Sequence, residues 1–419
     1  MNVMSNDLKT LIPDTQKFLR QEMKQFIGGE WVASSNSGSF SVIDPSSAEV
    51  LAQVPKGNAE DIDAAVQAAN TAFNDPLWRD MPPANREKLM HRFADLIEGH
   101  AEELGQLEAL DVGMPSFIGQ HVEVGNVLDT LRYMAGWPTK INGRTMNIGE
   151  PMPEKRFFAY TCREPVGVVG AIVPWNVPLM IAMWKIAPAL ATGCTIVIKP
   201  SEVTPLATLR LAELAVDAGI PAGVINVVNG LGHEAGQALV EHPLVNKISF
   251  TGSAVTGKAI NRTATETLKN VTLELGGKSP VILLDDANLD KAVQGISMGI
   301  FGNTGQVCVA GSRLYIQRGI FDKAVDRLTK EARSLKVGPG LHPETKIGPL
   351  VSEAHRDKVM GLIEAGVKAG GEVVTGGNLI DGPGYYVEPT VLINPPQSSQ
   401  VIQEEIFGPV ITAIPFDDI

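Results

Sequence analysis

Residues 165–184, PVGVVGAIVPWNVPLMIAMW, contain no charged side chain. The length alone would suit a membrane span, since about twenty apolar residues cross a bilayer as a helix. Pro174 and Pro178 interrupt the stretch, however, and its first half is rich in the β-branched residues that favour strands. The pattern therefore predicts a buried strand, a tight turn and an apolar helix in place of a membrane helix.

Strand-like and helix-like segments alternate after this stretch. The predicted strands are Gly167–Val173, Thr195–Lys199, Val224–Val228 and Lys247–Phe250. The predicted helices are Met180–Ala191, Pro205–Ala218, Gly232–Glu241 and Ala254–Thr263. Strands that are separated by helices form right-handed βαβ units. The alternation therefore predicts an α/β fold with a Rossmann-like parallel sheet.

Three polar segments come at the ends of strands in this predicted sheet. PWN at 174–176 follows the first strand, KPSE at 199–202 ends the second, and TGS at 251–253 follows the fourth. Parallel sheets bind nucleotides beyond the carboxyl ends of their strands. We therefore expect the three segments to meet at one nucleotide site.

Two glycine-rich segments come close to known phosphate loops without matching them. Gly230, Gly232 and Gly236 miss the spacing of the dinucleotide fingerprint, because the third glycine comes one residue late. GSAVTGK at 252–258 matches the phosphate loop of NTPases up to its last position, where Ala259 replaces the Ser or Thr that holds magnesium. A helix N-terminus after a glycine still attracts the phosphates of any nucleotide. We therefore favour a dinucleotide, with a magnesium-dependent NTPase as the rival hypothesis.

Three parts of the chain are predicted from these patterns. Residues 1–136 and 164–273 are expected to form the dinucleotide-binding domain, and residues 274–419 a second α/β domain. The helices expected to cover the first domain are Ala59–Asn74, Asn85–Leu104 and Pro115–Ala135. Residues 137–163 carry a turn signal at Asn142-Gly143 between β-prone ends. Since a two-stranded excursion is unstable alone, we predict a protruding β-hairpin arm that binds a partner chain.

The composition restricts the partners and the compartment. The chain has 419 residues and a net charge of −12, which argues against nucleic acid and anionic membranes as partners. Cys162, Cys194 and Cys308 are scattered and odd in number, so a reducing, cytoplasmic setting is predicted and no disulfide framework. The start, MNVMSNDLK, lacks the pattern of a signal peptide. The seven histidines show no metal-ligand spacing, so no metal site is predicted.

Cys308 and Glu274 are the candidates for chemistry. Cys308 lies in the turn FGNTGQVCVAGS at 301–312, whose glycines allow the backbone to approach closely. A lone cysteine is more often a buried structural residue, and a nucleophilic one needs a pocket that lowers its pKa or a nearby base. Glu274 interrupts an apolar strand-like run and precedes two glycines. It is either a solvated carboxylate at a strand end or a general base in a pocket.

With these residues in view, the chain resembles the NAD(P)-dependent aldehyde dehydrogenase superfamily from about residue 26 to its end. The motifs that carry the resemblance are PWNVP at 174–178, IKPSE at 198–202, FTGS at 250–253, LELGGK at 273–278, GQVC at 305–308 and EEIFGP at 404–409. They occur in the family's order. AGWPTKING at 135–143 is similar to the branch that includes phenylacetaldehyde and other aromatic or medium-chain aldehyde dehydrogenases.

The resemblance implies a role for three residues. Cys308 matches the nucleophile that attacks the aldehyde to give a thiohemiacetal. The side-chain amide of Asn176, with the backbone N–H of Cys308, matches the group that stabilises the oxyanion. Glu274 matches the base that activates water to hydrolyse the thioester left after hydride transfer. An aldehyde would thus be oxidised to the carboxylic acid.

The resemblance also implies the cofactor site. Lys199 and Glu202 match the residues that bind the adenosine ribose, and since a carboxylate there repels a 2′-phosphate, NAD is predicted over NADP. The residues expected to bind the cofactor are Ile172, Trp175, Lys199, Glu202, Gly230, Phe250, Gly252, Ser253, Leu275, Glu405 and Phe407. The hairpin arm matches the family's oligomerisation element, which predicts a homodimer or homotetramer.

The chain departs from the family pattern at its C-terminal end. It stops at Ile419, where family members run on, and the part beyond normally completes the catalytic domain. We therefore expect a C-terminally truncated chain of an active enzyme. Two alternatives remain open at this point, an inactive NAD-binding relative and an acylating member that transfers the thioester to coenzyme A.

Overall fold

The computed structural model describes residues 10–148 and 155–418. Its strands are β1 (Gln25–Ile27), β2 (Glu30–Val32), β3 (Ser39–Ile43), β4 (Val50–Pro55), β5 (Thr145–Met146), β6 (Ala159–Tyr160), β7 (Val168–Ile172), β8 (Thr195–Lys199), β9 (Ile225–Val227), β10 (Val245–Gly252), β11 (Asn270–Leu275), β12 (Pro280–Leu283), β13 (Arg313–Gln317), β14 (Glu372–Thr375), β15 (Thr390–Ile393) and β16 (Val410–Phe416). Its α-helices are α1 (Pro13–Arg20), α2 (Ala59–Asn74), α3 (Pro76–Arg79), α4 (Pro83–Gly99), α5 (Ala101–Asp111), α6 (Ser116–Ile118), α7 (Val124–Ala135), α8 (Pro178–Thr192), α9 (Leu206–Asp217), α10 (Gln237–Glu241), α11 (Ala254–Thr265), α12 (Leu289–Phe301), α13 (Phe321–Ser334), α14 (Glu353–Lys368) and α15 (Gln400–Gln403).

The first sheet has the order β11-β10-β7-β8-β9-β1-β2. Its five strands from β11 to β9 are parallel, and β1 and β2 extend it in antiparallel pairing. Every residue of β7 and β8 is buried, because helices cover both faces of the parallel part. The strand, turn and helix predicted for residues 165–184 are present as β7 and α8. Among the residues that the structure describes, no helix is long and apolar enough to cross a membrane.

The strand order of this sheet creates a crevice. The chain runs from β7 outward through β8 to β9 and then returns, so that β10 pairs with β7 on its other side. This reversal is a topological switch point, where the loops that leave two neighbouring strands diverge and open a ligand site. The loop after β7 and the end of β10 therefore face each other across this crevice.

The second sheet has the order β12-β13-β16-β15-β14, with only β14 antiparallel to its neighbour. Two clusters of buried apolar side chains pack on it, one including Phe301 and the other including Val359. The loop from α12 to β13 contains Cys308 and follows the buried end of α12. This loop faces the crevice of the first sheet.

The predicted hairpin arm contains an antiparallel pair, β5 with β6, while residues 149–154 lie outside the described part of the chain. The prediction of its turn at Asn142-Gly143 is wrong. Thr161 donates its N–H to the carbonyl of Arg144 at 2.9 Å, and a Cβ at Gly143 would lie 1.7 Å from the carbonyl oxygen of Thr161. Residues 142–144 thus run alongside the returning strand and do not reverse the chain.

Three predicted helices are interrupted. The helix predicted for Asn85–Leu104 is two helices, α4 and α5, which meet at His100 (φ −108°, ψ 18°). The helix predicted for Pro115–Ala135 contains a π-helical turn at Gly119–Glu123, where a Cβ at Gly119 would lie 2.9 Å from the carbonyl oxygen of Gly105. Close backbone packing thus distorts this helix. A second π-helical turn replaces the start of the helix predicted for Gly232–Glu241.

Three carboxyl groups, those of Glu108 and Asp111 on α5 and of Glu123 in the π-helical turn, are buried. Asp111 accepts hydrogen bonds from the backbone N–H groups of Leu206 (2.7 Å) and Ala207 (3.4 Å), so it caps the N-terminus of α9. Burial raises the pKa of Glu108 well above its usual value, and the charges of Glu123 and Asp111 raise it further. Burial also raises the pKa of Glu123, to about 7. These groups are therefore protonated in the folded protein at pH values where exposed carboxyl groups are ionised.

The raised pKa of Glu123 predicts a pH-dependent loss of stability. In the unfolded chain Glu123 ionises near its ordinary value of 4.5, while in the folded protein it stays protonated up to about 7. The free energy of unfolding therefore falls as the pH rises between these values. Replacing Glu123 with Gln should raise the free energy of unfolding by roughly 2–3 kcal/mol at pH 8, with little gain at pH 4.5. Chemical denaturation at both pH values, with exposed Glu102→Gln as control, measures the difference. Equal effects of the two substitutions would contradict the buried-carboxyl explanation.

Candidate active site

A cavity of about 260 Å³ opens at the switch point between the two sheets. It is lined by Pro174, Trp175, Asn176, Ile181, Thr251, Gly252, Ser253, Glu274, Leu275, Gly276, Cys308, His355, Lys358, Glu405 and Phe407. The three predicted catalytic residues, Cys308, Glu274 and Asn176, are all among them. The first sheet contributes the loop after β7 and the residues at and just beyond the ends of β10 and β11, and α8 contributes Ile181. The other lining residues are Cys308, His355, Lys358, Glu405 and Phe407.

The loop that carries Cys308 has an unusual backbone. Asn303 (φ 46°), Thr304 (φ 57°) and Gly305 (φ 74°) are consecutive left-handed residues. A Cβ at Gly305 would lie 2.0 Å from the carbonyl oxygen of Gly408, so only glycine fits there. Thr304 is buried and donates its hydroxyl to the carbonyl of Gly348 at 3.0 Å. The strained backbone is thus held by tertiary contacts, which fixes the position of Cys308 three residues later.

Asn176 joins the first sheet to this loop. Its buried side-chain amide donates a hydrogen bond to the carbonyl of Gln306 at 2.8 Å. In return, the amide of Asn303 donates to the carbonyl of Asn176 at 2.8 Å. One N–H of the Asn176 amide is thereby used to hold the loop, and the second N–H remains for a ligand in the cavity.

Glu274 lies at the end of β11 and is solvent-exposed. The exposure agrees with a solvated carboxylate at a strand end, and the position in the cavity wall also gives it access to a ligand and to water. Below it, the ammonium group of Lys185 donates to the hydroxyls of Ser249 (3.1 Å) and Thr251 (2.8 Å). Burial lowers the pKa of Lys185 to about 8, although the charge of Glu274 opposes the shift.

The thiol of Cys308 is partly buried. Burial raises the pKa of Cys308 above its usual value, and the negative charges of Glu405 and Glu274 raise it further, while backbone hydrogen bonds at Cys308 and Val309 oppose the rise. The thiol is therefore protonated at neutral pH in the absence of a ligand. Cys194 is buried and Cys162 is exposed near the hairpin arm, and neither lines the cavity.

The predicted adenosine end of the cofactor site lies beyond this cavity, at the end of β8. Lys199 is buried, and its ammonium donates to the carbonyls of Pro200 (2.6 Å) and Gly230 (2.9 Å) and to the carboxylate of Glu202 (3.3 Å). Burial lowers the pKa of Lys199, and the charge of Glu202 opposes the shift. Ile172 belongs to the same group, because a Cβ at Gly236 would contact both Lys199 and Ile172.

The predicted pyrophosphate turn lies at the N-terminus of α11. Ser253 is the N-cap residue, and its hydroxyl accepts the N–H of Thr256 at 3.2 Å. The ring of Phe250 packs under Gly252, where a Cβ would lie 2.6 Å from it, and Leu275 packs against the first turn of the helix at Gly257. Lys258 of the NTPase-like loop is exposed and does not line the cavity.

Glu405 and Phe407 form the opposite wall of the cavity. Glu405 accepts the backbone N–H of Gly277 at 3.1 Å, and a Cβ at Gly276 would lie 2.0 Å from its carboxylate. Glycine at 276 therefore allows the two domains to meet. The ring of Phe407 lies edge-on to that of Trp175, with centroids 5.2 Å apart.

Sequence reasoning missed four residues of this site. His355 and Lys358 line the cavity from α14, Gln306 accepts the Asn176 amide, and Lys185 lies below Glu274. A helical pattern alone gives no reason to choose His355 or Lys358. The GQVC motif at 305–308 contains Gln306, but Gln306 accepts the bond through its backbone carbonyl, which every residue has, so its side chain gave no signal for this contact. Among the residues described, no group of three His, Cys, Asp or Glu side chains could hold a metal ion.

A crevice at the switch point of a parallel sheet is typical of dinucleotide-dependent enzymes, and its thiol, carboxylate and amide favour an oxidoreductase. Comparison with known proteins narrows this class. The profile of the aldehyde dehydrogenase family matches residues 31–419. A phenylacetaldehyde dehydrogenase of Pseudomonas fluorescens is 46% identical over 406 residues, which cover 96% of this chain and 80% of that protein. An aldehyde dehydrogenase of Enchytraeus buchholzi is 46% identical over 414 residues, which cover 97% of this chain and 82% of that protein.

Solved structures agree with this result. The NAD⁺ complex of an aldehyde dehydrogenase from Bacillus cereus is 47% identical, with a TM-score of 0.95, and the match covers 97% of this chain and 82% of that one. The chain belongs to the aldehyde dehydrogenase family and is an NAD(P)-dependent oxidoreductase that acts on aldehydes. The predicted family, α/β fold and enzyme class are therefore confirmed. The prediction of a missing C-terminal part stays a prediction.

The charges around Cys308 predict its reactivity. Replacing Glu405 with Gln removes a negative charge that opposes the thiolate, so the pKa of Cys308 should fall. Alkylation of Cys308 by iodoacetamide at pH 7, without cofactor, should become roughly 3–10 times faster. Mass spectrometry of the Cys308 peptide separates this reaction from alkylation of exposed Cys162. Glu404→Gln is the matched control, because Glu404 is exposed and outside the cavity wall. Equal rates for the two variants would show that the Glu405 charge does not act on the thiol.

Proposed function

We propose that Cys308, Asn176 and Glu274 carry out the oxidation of an aldehyde to a carboxylic acid, with NAD as the hydride acceptor. The observation that carries this assignment is their position in one cavity at the switch point, beside the ends of β7, β10 and β11. No other cysteine of the described chain lines this cavity.

The residues around the cavity fit NAD. Gly252 and Ser253 stand at a helix N-terminus, which suits a pyrophosphate, and the partly exposed carboxylate of Glu202 beside Lys199 offers an acceptor to a ribose. The cavity that contains Cys308 is also lined by the rings of Trp175 and Phe407 and by the carboxylate of Glu405. When bound, NAD supplies the acceptor for the hydride that leaves the substrate. The NAD⁺ complex of the Bacillus cereus relative supports the same assignment.

Cys308 begins the reaction. The thiol gives up its proton to solvent water, its sulfur forms a bond to the aldehyde carbon, and the carbonyl oxygen becomes an oxyanion in a thiohemiacetal. The second N–H of the Asn176 amide and the backbone N–H of Cys308 stabilise this oxyanion. Because Asn176 is held by Gln306 and Asn303, its amide is oriented before the substrate arrives.

The carbonyl reforms as the hydride leaves the substrate carbon, so that Cys308 carries a thioester. Glu274 then takes a proton from water, whose oxygen attacks the thioester carbon and breaks the C–S bond. The carboxylic acid leaves, and the proton held by Glu274 passes to the sulfur of Cys308, so that both groups are restored. The exposed position of Glu274 at the cavity wall gives water a route to this step.

NAD is preferred over NADP in this proposal because of Glu202. Its carboxylate lies 3.3 Å from the ammonium of Lys199 and is partly exposed. A 2′-phosphate in this position would meet a negative charge, and the positive charge of Lys199 is already shared with Glu202 and two carbonyls.

We also propose a homo-oligomer that assembles through the hairpin arm. The pair β5–β6 is only two residues long on each strand, and Phe158 and Tyr160 expose about 76% and 63% of their surface. A short pair with exposed aromatic residues gains stability when a second chain covers it. The free thiol groups support a reducing compartment such as the cytoplasm.

The role of Glu274 predicts which step fails without it. In Glu274→Gln the thioester should still form, but its hydrolysis should slow by about 100-fold, because the base is lost. Rapid mixing with an aldehyde and NAD should then show one equivalent of NADH per active site, followed by slow turnover. Mass spectrometry should detect the acyl group on the Cys308 peptide.

The control for this experiment is Glu266→Gln, a substitution of an exposed glutamate after α11. It should behave as the wild type. If Glu274→Gln turned over at the wild-type rate, another group would have to be the base. If it gave no NADH burst and no acyl-enzyme, Glu274 would act before hydride transfer.

The role of Glu202 predicts a change of cofactor preference. In Glu202→Ser the charge that opposes a 2′-phosphate is absent, so the KM for NADP should fall by about 10-fold relative to that for NAD. Steady-state kinetics with both cofactors and one aldehyde measure the ratio. Glu241→Ser, an exposed residue at the end of α10, is the control. An unchanged ratio in Glu202→Ser would remove the electrostatic explanation.

A further inference from the structure

His355 makes a specific contact that the reaction scheme does not use. It is the third residue of α14, and its Nε2 lies 2.7 Å from the backbone carbonyl oxygen of Phe407. A carbonyl oxygen only accepts hydrogen bonds, so Nε2 carries a proton and donates it. The contact joins residues 52 positions apart in the chain and fixes the ring of His355 against one peptide group.

The peptide group that His355 holds has an unusual conformation. Phe407 has φ 60°, in the left-handed region that side chains other than glycine rarely adopt. Such a conformation persists only where surrounding contacts hold it, and it concentrates at functional sites. The bond from His355 is one of these contacts.

Helix α14 also contacts Gly408, the residue after Phe407. Val359 lies one turn after His355 and packs on Gly408, where a Cβ would lie 2.7 Å from its side chain. The carbonyl of Gly408 in turn packs on Gly305 in the loop that carries Cys308. His355 and Val359 thus both contact the Phe407–Gly408 segment, which also packs on the loop that carries Cys308.

The ring of His355 completes an aromatic wall. It lies 4.9 Å from the ring of Trp175 at an interplanar angle of 62°, and 6.1 Å from that of Phe407 at 71°. Trp175 and Phe407 are perpendicular to each other. All three residues line the cavity. Burial lowers the pKa of His355 to about 4, so the imidazole is neutral at physiological pH and adds no charge near Cys308.

We propose that His355 is a positioning residue for hydride transfer: through its bond to the Phe407 carbonyl it holds Phe407 and Trp175 as a rigid wall for the nicotinamide half of the cofactor. The proposal rests on the function proposed above. The proposal distinguishes hydride transfer, which needs this wall, from the reactions of a carbonyl group with Cys308 and with water, which do not. Loss of His355 should therefore slow hydride transfer, and with it thioester formation from an aldehyde, but leave the attack of Cys308 on a carbonyl and the hydrolysis of the thioester intact.

Three substitutions test the proposal. His355→Leu keeps the volume and removes the donor, and its kcat for aldehyde oxidation should fall by about 10- to 100-fold, as expected when a reacting group is misplaced by about 1 Å. The substrate deuterated at the aldehyde carbon should show a larger isotope effect on kcat, because hydride transfer becomes rate-limiting. His355→Gln places an amide donor near the position of Nε2 and should restore kcat to within about threefold of wild type. His342→Leu makes the same change at an exposed histidine and should have no effect.

A second assay uses the same cysteine without cofactor. An activated ester such as 4-nitrophenyl acetate can acylate Cys308 with release of 4-nitrophenolate, and Glu274 can then activate water to release acetate. His355→Leu should keep this esterase rate within about twofold of wild type. An esterase loss equal to the dehydrogenase loss would make His355 merely structural and overturn the proposal. A wild type that lacked both activities would instead contradict the proposed function.

A third measurement needs no active variant. In the ¹⁵N-histidine-labelled apoenzyme, the signals of His355 are identified by their absence in His355→Gln. They should show a neutral ring with the proton on Nε2 at pH 7 and slow exchange of that proton. A ring protonated on Nδ1, or on both nitrogens, would show that the bond to Phe407 is not made. That result would overturn the proposal even if His355→Leu failed to fold.

Discussion

A reciprocal pair of hydrogen bonds between Asn176 and the cysteine loop is the constraint on which this site depends. The amide of Asn176 donates to the carbonyl of Gln306, and the amide of Asn303 donates to the carbonyl of Asn176, both at 2.8 Å. These bonds connect the end of β7 in one sheet to the left-handed turn before Cys308 in the other. Because each of these bonds runs from one element to the other, the two together hold the loop against the end of β7. Cys308, the proposed nucleophile, and Asn176, the proposed oxyanion donor, are thereby fixed relative to each other by the fold.

The negative charges around the cavity favour the neutral thiol of Cys308 over the thiolate in the absence of a ligand. Glu405 and Glu274 both disfavour the thiolate of Cys308, and the buried ammonium groups of Lys185 and Lys199 are turned to hydroxyl and carbonyl oxygens. A protonated thiol is far less nucleophilic than a thiolate, so the empty site is protected from alkylation and oxidation. The same two carboxylates that suppress the thiolate have separate uses at the proposed site, one beside the nicotinamide end and one at the water route.

The parts of the structure that follow from local pattern could be predicted, and those that follow from distant contacts could not. The buried strand β7 and helix α8 are coded by β-branched residues, two prolines and an apolar run within twenty residues. The prediction of a hairpin turn at Asn142-Gly143 was wrong because the N–H of Thr161 bonds to the carbonyl of Arg144, so that this segment runs extended beside the returning strand. The π-helical turn at Gly119–Glu123 depends on the contact of Gly119 with Gly105, which no periodicity records. For the site, the motifs located Cys308, Glu274 and Asn176, whereas His355 stands in an ordinary amphipathic helix and takes its place only from tertiary packing.

The segment EEIFGP at 404–409 shows how one short stretch can couple the two halves of the site. Its consecutive carbonyls point to different elements: that of Phe407 to His355 on α14, and that of Gly408 to Gly305 in the cysteine loop. Its carboxylate at Glu405 binds the N–H of Gly277 beyond β11. The segment therefore contacts the aromatic wall, the thiol loop and the end of the first sheet through three different residues. This coupling explains why glycine is needed at both 305 and 276, since a side chain at either position would push the segment away from the cavity and separate the reacting groups.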